Sequence, residues 1–207
     1  MKRAIFAIAL LIGVAPAAGE PTPQILSLAQ RYLAATGGSF ELIEQQAYVA
    51  AGIMGDTPTS HARQTALQQA AEQHRADLAA LDAKLAALIA QTYTEDELRT
   101  SVNFLESPAG RSITEKKHAY FAAMFARDRP APTYSAEESA AVSAYQATPE
   151  AISMQAKSPA LLKGTLALAE PVENAIRKSA QSIYCHATRK CTDDSGYDQL
   201  AGPTIRE

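Results

Sequence analysis

Two clusters of carboxylates stand where they could do acid and base chemistry: Glu95, Asp96 and Glu97 in one, Glu137 and Glu138 in the other. Such chemistry needs two carboxyl groups whose surroundings push their pKa values apart within reach of one substrate. Four histidines, His61, His74, His118 and His186, are the other candidates. None falls in an H-E-x-x-H zinc pattern or beside a G-x-S-x-G nucleophile, and there is no P-loop, dinucleotide fingerprint or C-x-x-C-H haem site. The carboxylates have a local explanation instead. Thr94 with Glu97, and Ser135 with Glu138, have the spacing of a capping box, in which a hydroxyl and a carboxylate each bond the other residue's backbone amide. Acids in a first turn also meet the positive end of the helix dipole. The sequence assigns no catalytic residue, no cofactor and no metal.

The elements that position these groups are helices. "YTEDELRTSVNFLESPAG" starts with a capping box, carries Leu98, Val102 and Leu105 on one face, and breaks at Ser107 and Pro108, with Gly110 beyond. Proline disfavours helical geometry in the residue before it and suits the first turn of a new helix. Forty-one positions later "YSAEESAAVSAYQATPEA" keeps the same roles, pairing Tyr93 with Tyr134, Thr94 with Ser135, Glu97 with Glu138, Phe104 with Tyr145, Ser107 with Thr148 and Pro108 with Pro149. This predicts a repeated helix hairpin, at about 93–126 and 134–157, with boundaries near 94, 107, 135 and 148.

Upstream, Ile25, Leu28, Tyr32 and Leu33 form one helix face that stops at Gly37 and Gly38, and Ser39 is expected to cap the next helix. After Thr57 and Pro58 a heptad stripe runs through Leu67, Ala71, His74, Leu78, Leu81, Leu85, Leu88 and Thr92 without an internal glycine or proline, predicting one spine helix to Gln91 that lies along several others, in preference to a dimeric coiled coil. His74 interrupts that seam. It reads first as a satisfied boundary histidine and alternatively as a ligand or pH-sensing group. Tyr120, Phe121, Met124 and Phe125 recur at helical spacing, which means core packing first and a ligand or partner face second. Lys116, Lys117 and His118 form a small basic cluster, read as a solvated face in preference to a lipid contact. Ser158 and Pro159 are expected to open a further helix, split or kinked at Pro171.

Lys2 and Arg3 precede an apolar run from Ala4 to Val14 and the small residues Ala15, Ala17 and Gly19, the pattern of a secretory signal peptide over 1–19, cleaved after Ala17 or Gly19. Periplasmic or secreted localisation follows as an expectation. Export makes a disulfide the first reading of the only two cysteines, Cys185 and Cys191. Positions six apart on a continuous helix are separated by about 9 Å of rise, so the bond requires the last helix to end by Cys185. A polar tail, 192–207, follows. The net charge of −3 becomes more acidic when Lys2 and Arg3 leave, which argues against nucleic acid, and no mature segment reaches the length of a membrane span. With 47% hydrophobic residues and no tryptophan, the chain reads as an alanine-rich, all-α single domain over 20–191, antiparallel hairpins packed on a long central helix.

"YTEDEL", an aromatic before "ESPAG" and a lysine near Lys116 resemble the signature of the bacterial family known as domain of unknown function 2059. The strong likeness covers about 93 to 117, and "LAQRYLAATGGSFELIEQQ" is similar to the family's amino-terminal hairpin more loosely. The resemblance implies an all-helical exported bacterial protein and carries over no catalytic or binding residue. Leu105, where the family often has a second aromatic, and the second copy with its cysteines are departures. Three function classes follow: a non-catalytic envelope protein acting through a partner or self-association, a helical module binding a small apolar ligand or peptide, and an enzyme. The strong structural punctuation without a reactive cluster favours the first.

Overall fold

The structure, a computed structural model, describes residues 20–50, 58–124 and 132–188. The leader 1–19, Phe125, Cys191, the tail 192–207 and the side chains of Phe121 and Met124 lie outside what is described. The described residues form helices without strands: α1 (Pro23–Ala35), α2 (Gly38–Ala50), α3 (Pro58–Gln73), α4 (Arg75–Thr92), α5 (Glu95–Leu105), α6 (Pro108–Met124), α7 (Ala136–Gln146) and α8 (Pro149–Thr188). The all-α reading holds.

The heptad stripe is buried as its period requires, with Leu67, Ala71, Leu78, Leu81 and Leu85 inside the core. They pack with Ile43 and with Ala169, Ile176 and Ala180 of α8. A second cluster joins Leu28 and Ala29 of α1 to Ile89, Tyr93, Leu98, Val102 and Met154. Alanines at these contacts let helices approach closely, and they explain how a chain so poor in aromatics fills a core.

Four expectations are corrected. The spine is not one helix: it breaks at His74 (φ −99°, ψ 21°), between α3 and α4. The His74 N–H is shared between the carbonyls of Ala70 and Ala71, which tightens the last turn of α3. Ser39 does not cap α2, because α2 already begins at Gly38. Ser39 is fully buried, its N–H donating to Asp82 Oδ1 at 2.8 Å and its hydroxyl to the Leu78 carbonyl at 3.2 Å, so it fastens α2 to α4. The turn before it needs positive φ at both Gly37 (99°) and Gly38 (68°), the left-handed region glycine enters without penalty.

The other two corrections concern α8. No new helix opens at Pro159 and none splits at Pro171; both prolines lie inside one helix of 40 residues. The Gln155 carbonyl, which would have accepted an N–H from residue 159, accepts the Ser158 hydroxyl at 2.8 Å instead. The second hairpin therefore does not end at 157. Nor does the last helix end by Cys185, because α8 continues to Thr188 with Cys185 half-buried within it.

Candidate functional site

Each punctuated segment is built by its own side chains. Thr94 Oγ1 accepts the Glu97 N–H at 3.3 Å while Glu97 Oε2 accepts the Thr94 N–H at 2.6 Å. Ser135 and Glu138 repeat this at 3.1 and 2.7 Å. The breaks match as well. Ser107 donates to the Phe104 carbonyl at 2.6 Å and accepts the Gly110 N–H at 3.0 Å. Thr148 donates to the Tyr145 carbonyl at 2.8 Å and accepts the Ala151 N–H at 3.2 Å. Ser107 and Thr148 thus close one helix and open the next. At Gly110 a Cβ would lie 1.9 Å from the Phe104 carbonyl oxygen, so the first break is tight enough to exclude any side chain there.

The two segments also hold each other. Lys157 Nζ of the second donates to both oxygens of Glu97 in the first, at 2.7 Å each, and Lys116 Nζ of the first donates to both oxygens of Glu138 in the second, at 2.7 and 2.6 Å. Lys157 lies 6.0 Å from the Tyr93 ring centroid and Lys116 lies 5.9 Å from that of Tyr134. Ser112 donates to Glu138 at 2.6 Å, and Ser153 bonds Glu97 in the same way. Each residue of one contact lies 41 positions from its counterpart in the other: Glu97 from Glu138, Lys116 from Lys157, Ser112 from Ser153 and Tyr93 from Tyr134. Phe104 stacks on its own counterpart Tyr145, centroids 4.4 Å apart and planes 5° from parallel. The arrangement is that of an isologous dimer folded into one chain, in which residue i of one half meets j of the other and j meets i. Lys116, Lys157, Ser112 and Ser153 were missed as repeat partners in the sequence, where carrying the offset past the prolines would have found them.

This pairing decides what the carboxylates do. Glu97 and Glu138 are only 4% and 8% exposed. Burial pushes Glu97 up, but the bonds from Lys157, Ser153 and the Thr94 amide together outweigh it and leave the group below its ordinary range. Lys116, then the Ser112 hydroxyl and the Ser135 amide, hold Glu138 down at about 2. Both are charged struts near neutrality, unsuited to take up or release a proton there.

The two halves differ in what covers them. On the first, α1 lies against α5: Gln24 Nε2 donates to Glu95 at 2.6 Å, Arg31 grips Glu106 at 2.9 and 2.5 Å, and Leu28 and Ala29 pack with Leu98, Val102 and Met154. On the second, the positions equivalent to Leu98, Val102 and Met154 are Ser139, Ser143 and Ile113, and these line an open groove of about 780 Å³. Phe104, Tyr145 and Val142 add apolar surface, with Lys117 and His118 on the α6 side. Tyr32, whose phenol burial pushes up to about 12, and Glu41 stand on the far wall. His118 Nε2 meets Glu41 Oε2 at 2.8 Å across the groove. On α6 the lining comes from Ile113, Thr114, Lys117 and His118, ahead of the half-buried Tyr120.

His74 lies elsewhere, with Nδ1 2.8 Å from Asp77 and Nε2 2.9 Å from Ser179 Oγ of α8, so the break between α3 and α4 is tied to the long helix. Among the described residues no group of three His, Cys, Asp or Glu is placed to hold a metal ion, and no helix is long and apolar enough to cross a membrane.

Residues 79–126 match the family described as "Uncharacterized protein conserved in bacteria (DUF2059)". The resemblance read from "YTEDEL" and "ESPAG" is shown over this stretch, which takes in the later part of α4, α5 and α6, the first copy alone. No curated protein and no solved structure matches the chain.

Proposed function

We propose that this is an exported, non-catalytic protein of the bacterial cell envelope that acts by binding another macromolecule. The observation that carries the reading is the groove that α6 and α7 form with the far wall of Tyr32 and Glu41, a large opening lined by aromatic, aliphatic and hydroxyl side chains, its one carboxylate among the described residues, Glu41, committed to His118. Its chemistry is that of contact. It is only partly enclosed, whereas small-molecule sites usually enclose most of their ligand. The leader pattern at 1–19 supports export, and the likeness to a family conserved in bacteria supports the host.

The test is fractionation of cells expressing the native chain. The expected outcome is recovery in the osmotic-shock fraction with an amino terminus at Ala18 or Glu20, eluting on gel filtration ahead of the purified mature chain. Retention in the cytoplasm with Met1 intact, or elution as a monomer from the native fraction, overturns the proposal.

A further inference from the structure

We infer that the groove on the second half is a seat for one amphipathic α-helix of a partner protein, docking on α7 as α1 docks on α5. The inference rests on the binding reading above and names the class of partner. The two halves are related by a pseudo-two-fold that reproduces caps, breaks and ion pairs, so α7 stands in its half as α5 stands in the other, with different side chains on its face. One of the two surfaces is visibly occupied by a helix. α1 covers Leu98, Val102 and Met154, while the counterparts of the first two, Ser139 and Ser143, are exposed and line open space above the buried Ile113.

The size agrees. A helix about 10 Å across has a section of roughly 80 Å², so a groove of about 780 Å³ takes roughly 10 Å of it, or about two turns. Serines on α7 let a partner backbone come close, and the half-buried Val142 offers apolar contact.

The charge pattern separates this seat from that of α1. The carboxylates that receive α1, Glu95 and Glu106, correspond to Ala136 and Ala147, and Glu41 on the far wall is already paired with His118, so a basic residue like Arg31 has no equivalent carboxylate to grip. The exposed Lys117 on the rim favours a helix with acidic residues beside its apolar face. The chain does not supply such a helix from a second copy of α1, because α1 is spent on its own core, with Ala29 fully buried and Arg31 in its ion pair. An acidic amphipathic helix of another protein meets every condition.

The probe is a labelled peptide with the sequence of residues 22–36 carrying S27E, Q30E and R31E, which keeps the apolar face of α1 and makes the exposed face acidic. It is titrated by fluorescence anisotropy against the mature chain. Saturable binding is expected, weakened at least about tenfold by Val142→Lys, severalfold by Lys117→Glu, and unchanged by Ile152→Lys on the outer face of α8. Val142 is only partly buried on a peripheral helix, and an unchanged circular dichroism melt confirms that V142K folds. A photo-crosslinker at Ser143 should join the peptide. No saturable binding, or binding indifferent to V142K, overturns the inference. A dimer in sedimentation that V142K abolishes also overturns it and gives the groove to a second copy. A native envelope complex that survives V142K leaves the binding function standing and removes the groove from it.

Discussion

Phe104 and Tyr145 stack face to face at 4.4 Å, although 41 residues separate them and each occupies the same place in its own copy of the repeat. The axis relating the two halves therefore passes between their rings, and the Tyr145 hydroxyl reaches Ser101 Oγ at 2.7 Å. Aromatic pairs contribute about 0.5–1.5 kcal/mol beyond their buried area. A double-mutant cycle with Phe104→Leu and Tyr145→Leu, read by urea denaturation, should give a coupling energy in that range. Additive effects would mean that the rings are neighbours without interaction.

Acid should loosen the two halves. Glu138 is held at about 2 in the folded protein against an ordinary 4.5, and Glu97 is lowered too. A folded pKa below the unfolded one means that the unfolded chain takes up protons first. The stabilisation is complete above about pH 4.5 and is lost as pH falls towards 2. Melting temperature should drop across that window. In Lys116→Met the drop should shrink, because the neighbouring cation that depresses Glu138 is gone, while stability at pH 7 is lower. An unchanged acid profile would detach the Lys116 pair from folding.

The caps should matter equally in both copies. Thr94→Ala and Ser135→Ala each remove one acceptor for an otherwise unpaired amide and should cost about 0.5–2 kcal/mol in chemical denaturation. Gly110→Ala forces a methyl against the Phe104 carbonyl and should cost about 1–3 kcal/mol, the range for overpacking. Ala151→Gly, at the equivalent site, relieves nothing and should cost less.

Along α4, Leu81 is 1% exposed and Lys84 is exposed. Leu81→Ala should cost about 2–5 kcal/mol, whereas Lys84→Ala should stay within about 0.5 kcal/mol. Equal melts for the two variants would contradict the buried stripe.

The expected Cys185–Cys191 disulfide needs the last helix to end by Cys185, and α8 runs on to Thr188. Thiol labelling of the unreduced, denatured exported protein should therefore find both cysteines reactive. Two blocked thiols would restore the disulfide.

What the sequence determined by itself is everything that closes within a few residues. A capping box spans three positions, a hydroxyl before proline bonds its own turn, and a heptad stripe repeats along one helix, so Thr94, Ser135, Ser107, Thr148 and the leucines from Leu67 to Leu85 could be read directly. Three dimensions decided the rest. Whether Pro159 ends a helix depends on whether packing against α3 and α4 outweighs one missing donor, and here the Ser158 hydroxyl takes over the orphan carbonyl. Which lysine meets Glu97 depends on how the two repeated segments meet, because the partner, Lys157, is 60 positions away and nothing local selects it. The groove is further still from the one-dimensional pattern: Ser139 and Ser143 look like drift in a repeat until α1 is seen covering their counterparts on α5 and leaving them bare on α7.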